Sequence, residues 1–270
     1  MPENPIQEYP PSIDLREHVL CYWSGNFNAH ALPELSQSVV PNGTVELIIH
    51  LTDDHCELHS DAWGRSPDYI VLGIYAEPYV VRFRRNVRVF GIRFNPDGFY
   101  TLLGVPPSKF LGGFEDLESV GGSMFKEFCN RIRDCRQMDA RIHVANDFLR
   151  KHHNWHLPVH NYVHTAARLI RQNWSLKMAE LHDLIAISPR QLQREFKNQL
   201  GITPKTYMRL ARMSAAHQYL RAEGKVDLTT IAHASGFSDQ AHFIREFHAL
   251  TGSRPGAFLQ ERDKYLVPSA

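Results

Sequence analysis

Arg190, Gln191, Gln193, Arg194 and Lys197 crowd one short run of the chain, and Ser238, Asp239, Gln240, His242 and Arg245 crowd another. Arginine can donate two parallel hydrogen bonds to a guanine edge, and glutamine can pair in the same bidentate way with adenine. Lysine and the free amides of a helix start suit phosphate oxygens. Both runs therefore offer recognition of a nucleic acid rather than bond-making. A single charged helix face is most often only solvated, so the reading depends on the surrounding pattern.

That pattern is a repeat. Arg194-Glu195-Phe196 is followed by four residues, Gly201, two residues and Pro204, and Arg245-Glu246-Phe247 is followed at the same spacing by Gly252 and Pro255. Leu181 and Ser188 correspond to Ile231 and Ser238, which sets the copies 50 residues apart at the serines and 51 apart at the arginines. Each copy reads as helix, tight turn, helix. In the second copy Ile231 and Ala232 belong to the first helix, Gly236-Phe237 makes the turn, and Ser238 is expected to cap the next helix. In the first copy Ser188 stands three residues before Gln191, a capping-box spacing, with Pro189 at the first helical position. Leu192 with Phe196, and Phe243 with Phe247, are i, i+4 pairs that turn inward and leave the polar residues outside. A solvated face needs no such duplication of cap, apolar pair, arginine, glycine and proline. Between the copies, residues 206–221 read as one helix of about 24 Å at ~1.5 Å per residue. Such a rod can hold two recognition helices roughly one DNA turn apart, about 34 Å, in successive major grooves.

The run Ile231-Ala232-His233-Ala234-Ser235-Gly236-Phe237-Ser238-Asp239-Gln240-Ala241-His242-Phe243-Ile244-Arg245-Glu246-Phe247, with Leu250-Thr251-Gly252 and Pro255 after it, is close to a known signature. On these residues the stretch 159–259 resembles the C-terminal DNA-binding domain of the AraC/XylS family of bacterial transcription regulators. The resemblance implies base contacts from Arg190, Gln193 and Arg194 in the first unit. In the second it implies contacts from Gln240, His242 and Arg245, with Ala241 adding no hydrogen bond. Two positions of the first unit depart from the family pattern: His182 stands where a small residue usually packs, and Ala186 replaces the turn glycine.

The N-terminal part reads as mixed β and α. Strands are expected at Val45–His50, Tyr69–Leu72, residues 80–83 and Val87–Phe94. Asn95-Pro96 reads as the cap and first residue of a short helix ending near Gly104, and helices are expected over residues 125–135 and 138–151. Tyr22-Trp23, the run Pro41-Asn42-Gly43-Thr44-Val45-Glu46-Leu47-Ile48 and the run Gly91-Ile92-Arg93-Phe94-Asn95-Pro96-Asp97-Gly98 resemble a sensor-like domain of unknown function often found ahead of such DNA-binding domains. Asn42 and Thr44 depart from its commoner Asp and Cys. Trp23, Trp63, Tyr75 and Tyr79 are the candidate lining of an effector pocket, although aromatics in a β-rich domain more often simply fill its core.

Composition bounds the remainder. At 270 residues, 43% hydrophobic, two domains are expected. The net charge of +1 hides an asymmetry: from Pro158 onward 15 Lys/Arg face 9 Asp/Glu, a net of +6, while the preceding part holds 15 against 20, a net of −5. A basic module behind an acidic one suits a polyanion partner. No apolar run reaches the roughly 18–20 residues of a membrane span, and the start has no signal-peptide pattern, so a cytoplasmic protein is expected. Cys21, Cys56, Cys129 and Cys135 read as reduced thiols, with a Cys129/Cys135 redox pair the disfavoured alternative. His156, His160 and His164, and separately His50, His55, Cys56 and His59, lack a convincing ligand spacing, so neither a metal nor a cofactor is expected. Nucleophile-elbow, phosphate-loop and dinucleotide motifs are absent, and catalysis is not expected.

The resulting expectation is an α+β protein. A β-rich, barrel-like N-terminal sensor or dimerisation domain with helices (1–151) leads through a linker (152–158) to an all-α domain of two helix-turn-helix units joined by a linker helix (159–262), then a tail (263–270). Its expected partners are double-stranded promoter DNA, RNA polymerase, a small-molecule effector and a second copy docking through residues 138–151, with no membrane. The competing reading is a DNA-targeted enzyme with a metal-dependent N-terminal domain, distinguishable by metal analysis.

Overall fold

The computed structural model describes residues 5–29, 36–59, 62–110, 113–153, 161–221, 227–261 and 264–268. The chain begins with β1 (Ile6–Tyr9), β2 (Val19–Phe27), β3 (Ser36–Val39), β4 (Val45–His50), β5 (Glu57–His59), β6 (Trp63–Arg65), β7 (Tyr69–Leu72), β8 (Tyr79–Arg82) and β9 (Val87–Phe94). Then come α1 (Gly98–Leu103), β10 (Phe114–Asp116), α2 (Leu117–Gly121), α3 (Ser123–Asp134) and α4 (Met138–His152). The C-terminal part holds α5 (Tyr162–Gln172), α6 (Met178–Ile185), α7 (Pro189–Leu200), α8 (Pro204–Arg221), α9 (Leu228–Ala234), α10 (Gln240–Thr251) and α11 (Pro255–Gln260), and closes with β11 (Tyr265–Leu266).

The strands form two sheets, in the orders β1-β2-β9-β4-β7-β10 and β11-β3-β8-β5-β6. They share an apolar core as an open, barrel-like sandwich. Alternate residues of the larger sheet go to opposite faces. Leu47, Ile49, Val71, Phe90 and Ile92 meet Phe99, Phe125, Phe128 and Phe148 of the covering helices. Ile70, Leu72, Val87 and Val89 meet Leu58, Val81 and Phe83 from the smaller-sheet side. With both faces covered, β4, β7 and β9 read as near-continuous apolar runs, which is why they were legible as strands.

Arg93 lies inside this sandwich, paired with Glu46 at 2.8 Å and Glu8 at 2.7 Å. Burial works against its charge, but Glu46 and Glu8 outweigh it and hold the guanidinium above its ordinary pKa.

The core on the helix side runs without a break into the C-terminal domain through Val163, Ala166, Phe196, Leu210, Phe243 and Phe247. The bridging element is α8, buried at Tyr207, Met208, Leu210, Ala211, Met213, Ala215 and Ala216. A helix covered nearly all round needs no polar stripe, because each side has its own apolar partner. One partner is the turn at Gly43, whose φ of +76° favours glycine and where an added Cβ would stand 3.2 Å from both Leu210 and Tyr207. Beside it the Ser214 hydroxyl donates to the Asn42 carbonyl at 3.1 Å.

Three expectations need correction. The helix after β9 starts at Gly98, not at Pro96: the Asn95 amide is engaged instead by the carbonyls of Arg16 and Glu17, and Asp97 takes the N-cap position. The expected strand at 80–83 is shifted one residue, to Tyr79–Arg82, by its pairing with β3. The tail beyond residue 262 contains β11, which pairs in parallel with β3 through Tyr265–Ser38 and Leu266–Val39. It therefore belongs to the N-terminal sandwich.

Candidate nucleic-acid interface

Helix α7 starts as its residue types require. The Ser188 side chain accepts from the Gln191 amide at 3.2 Å, and Pro189 occupies the first turn. Leu192, Phe196 and Leu200 are buried. Periodicity then turns Arg190, Gln193, Arg194 and Lys197 to solvent, with Gln191 half-buried. Arg194 is 3.5 Å from Glu195, an exposed pairing that a phosphate or base can displace. Gly201 ends the helix at φ 76°.

Helix α10 repeats the design with a different cap. The expectation that Ser238 caps it is corrected: Asp239 is the N-cap, accepting from the His242 amide at 2.7 Å. That amide bond holds the Asp239 carboxyl below its usual pKa. Ser238 instead donates to Asp239 and stands 3.0 Å from His242 Nδ1. A carboxylate accepts more strongly than a hydroxyl, so it displaces the serine from the cap. Gln240 accepts from Thr229 at 3.0 Å, and the His242 ring lies edge-on to Phe237 with centroids 5.5 Å apart. Arg245 is exposed. Of the ten residues read as DNA-facing, Ser238, Asp239, Gln240 and His242 thus carry local bonds of their own, while the side chains of α7 and Arg245 project more freely.

The turns differ as their residues imply. In the second unit Gly236 has φ 80°, and an added Cβ would fall 2.4 Å from the Trp174 carbonyl oxygen. In the first unit Ala186 takes the left-handed turn conformation at φ 55°, the sole non-glycine to do so among the described residues. The half-buried His182 leaves its Nδ1 without a hydrogen-bond partner among them.

Contacts with the N-terminal domain flank this interface. Ser108 donates to the Asn198 carbonyl at the end of α7 at 2.6 Å. At the start of α5, His164 Nδ1 lies 2.6 Å from the buried Asp97 carboxylate, and that bond raises the histidine pKa. Sequence reasoning weighed His164 only with His156 and His160, which lie outside the described residues. It missed Asp97 because the two are 67 residues apart.

Of the four candidate effector residues, Trp23 and Tyr79 line a cavity between the sheets, together with His50, Cys56, Arg93 and Leu266. Tyr75 packs edge-on to Tyr79 and donates to the Val40 carbonyl, outside that lining. Trp63 does not join them: it lies on β6 at the exposed rim, 4.0 Å beneath the Arg82 guanidinium. His50 and Cys56 approach to 3.7 Å, and His59 turns to Trp63, so these residues do not converge as one ligand set. Cys129 is buried, which pushes its thiol pKa up, and both it and Cys135 are free thiols. The inner face of α4 is committed to its own chain through Ala145, Asn146, Phe148 and Leu149. Among the described residues no helix is long and apolar enough to cross a membrane.

Residues 181–261 match a helix-turn-helix domain family, and residues 7–114 match a domain of unknown function, DUF6597. Over 84 residues, 31% of this chain, the sequence is 37% identical to the HTH-type transcriptional activator RhaS of Shigella boydii and 36% identical to RhaS of Escherichia coli. The aligned part spans 30% of the length of those relatives. ToxT of Vibrio cholerae matches over 95% of this chain and 98% of its own, with a TM-score of 0.51 at 11% identity. A ToxT structure bound to (E)-4-(8-methylnaphthalen-1-yl)but-3-enoic acid matches equally well, with a TM-score of 0.51 at 12% identity over 95% of this chain and 99% of that one. These two likenesses establish a shared fold. The C-terminal helix-turn-helix domain is thus similar to that of bacterial transcriptional activators such as RhaS, and it stands behind a domain of unknown function.

Proposed function

We propose that this protein is a sequence-specific, double-stranded DNA-binding transcription regulator that places α7 and α10 in successive major grooves. The observation that carries this reading is the pair of capped helices joined by α8, with Arg190, Gln193, Arg194 and Lys197 exposed on one and Arg245 on the other. Helix α8 has 18 residues, so it is about 27 Å long at ~1.5 Å per residue, a length suited to spacing two units along one DNA face. Arg190, Gln193, Arg194 and Arg245 are assigned to base edges. Lys197 is assigned to the phosphate backbone, with Gln191, Ser238, Gln240 and His242 adding contacts once their local bonds rearrange.

The N-terminal domain is the regulatory half in this reading. Its turn at Asn42-Gly43 presses on α8, the rod that spaces the two recognition helices, so a change in the sandwich has a direct route to DNA affinity. The cavity lined by Trp23 and Tyr79 is our candidate effector site. Its volume of about 70 Å³ is well below the roughly 300–1,000 Å³ of an ordinary ligand pocket. An effector there must be small and largely apolar, or must open the wall formed by Leu266. RNA polymerase contact and a homodimer complete the proposed partners. A dimer through α4 would have to use its outer, polar face.

The test is genome-wide mapping of bound sites, followed by binding measurements on a recovered site and on scrambled DNA. Arg194→Ala and Arg245→Ala should each cost about 1–3 kcal/mol on the recovered site and little on the scrambled one. Equal losses on both would make the protein a non-specific binder.

A further inference from the structure

His18, Asp97 and His164 come from three distant segments: the approach to β2, the N-cap position of α1 and the first turn of α5. One ligand atom from each lies within 4.8 Å of the others. Asp97 is fully buried. Its Oδ2 meets His164 Nδ1 at 2.6 Å, but its Oδ1 is buried with no hydrogen-bond partner among the described residues, and so is His18 Nδ1. The His18 ring centroid is 5.6 Å from that of His164 and 5.7 Å from that of His153, just past α4. Glu17 Oε2 lies 3.8 Å from the far nitrogen of His164.

A histidine–aspartate ion pair accounts for one carboxylate oxygen and one ring. It leaves the second oxygen and the His18 nitrogen buried and unsatisfied at the same place, a combination native structures avoid. A cation held among the three would satisfy both. Zinc binds imidazole nitrogen at about 2.0–2.1 Å and carboxylate oxygen at about 2.0–2.2 Å, so ligand atoms around it stand roughly 3–3.5 Å apart. To reach that spacing His18 would move slightly inward, while the 2.6 Å His164–Asp97 hydrogen bond would open as the ion replaces its proton. Two imidazoles and one carboxylate suit a borderline transition metal better than calcium or magnesium, which prefer all-oxygen sets. Glu17 is placed to orient His164 from its far nitrogen, as carboxylates do behind metal-bound histidines.

We propose that His18, Asp97 and His164 form a binding site for a divalent transition metal, best suited to zinc, at the junction of the two domains. Two of its ligands belong to the N-terminal domain and the third to the first helix of the DNA-binding domain. A bound ion would therefore fasten one to the other. The proposal stands whether or not the protein binds DNA.

The experiment is titration of metal-stripped, full-length protein with zinc followed by metal analysis, and with cobalt followed by visible absorption. One equivalent of zinc should bind, raise the melting temperature and displace cobalt from a site with the absorption of a four- or five-coordinate ion. His18→Gln, half-buried and mild, should lower zinc affinity at least tenfold while circular dichroism and gel filtration confirm an intact fold, and Asp97→Asn should do the same. His55→Gln with His59→Gln, remote from the junction, should leave binding unchanged. The proposal is overturned if wild type takes up no stoichiometric zinc, if folded His18→Gln binds as wild type does, or if affinity follows His55 and His59 instead.

Discussion

At the scale of single residues, α7 and α10 show how a shared period yields unequal side chains. Arg194 and Arg245 occupy matching positions and both remain exposed, whereas Gln240 and His242 are bonded to Thr229 and Ser238. Spacing alone could identify the polar face. It could not show which members were already engaged, because that depends on the α9–α10 turn. In the sandwich, His50 is fully buried, and burial first, then the neighbouring His55, lowers its pKa to about 4. The folded state therefore resists protonation that the unfolded chain accepts near its ordinary pKa of about 6.5. The stability this neutral histidine supports is fully present above pH ~6.5 and is lost as pH falls towards 4, by up to about 3 kcal/mol. Thermal melts between pH 7 and 4 should show that slope in wild type. A folded His50→Gln variant should flatten it, and an unchanged slope would count against this assignment.

At the scale of elements, the helix starts and stops of the C-terminal half were largely readable, since caps are local chemistry. Ser188 was found from its distance to Gln191; Asp239 was missed because a serine precedes it and both can cap. The strands divide in the same way. β4, β7 and β9 carry dense β-branched runs, while β1, β3, β5, β6 and β10 are only three or four residues long and mix polar with apolar side chains. β2 contains Gly25 and Asn26, poor strand formers, and is extended because β9 pairs along its length. Ala186 is the residue where local preference and the fold conflict. A left-handed conformation costs a non-glycine about 1–2 kcal/mol, part of which glycine returns through its greater unfolded freedom. Ala186→Gly should raise stability by roughly 0.5–1 kcal/mol, read by chemical denaturation. A loss would show that the alanine methyl contributes packing that outweighs the strain.

At the scale of the whole molecule, the two domains share one apolar core and are stitched by the Asn42–Ser214 contact, the Ser108–Asn198 contact and β11. The last crosses furthest. A strand that follows the second helix-turn-helix unit adds itself to the edge of the N-terminal sandwich and supplies Leu266 to the cavity wall. Ending the chain after Glu261 should remove that edge partner while leaving α11 in place. Hydrogen exchange of amides in β3 and β8 should accelerate several-fold, and an apolar dye should enter the cavity. Unchanged protection would mean that β11 only rests on a sheet stable without it.

The sequence by itself determined the duplicated helix-turn-helix units, their inward aromatic pairs, the connecting helix and the strands with two covered faces. Each of these follows from periodicity and capping within about a dozen residues, where the chain's geometry leaves few choices. Only the tertiary structure decided that Asn42-Gly43 bears on α8, that the tail is a strand, and that His18, Asp97 and His164 converge. Those meetings join residues 67 or more positions apart in three of the named pairs, His164–Asp97, Ser214–Asn42 and Ser108–Asn198. Long-range contacts of this kind are set by which apolar faces pack together, and no local spacing encodes them.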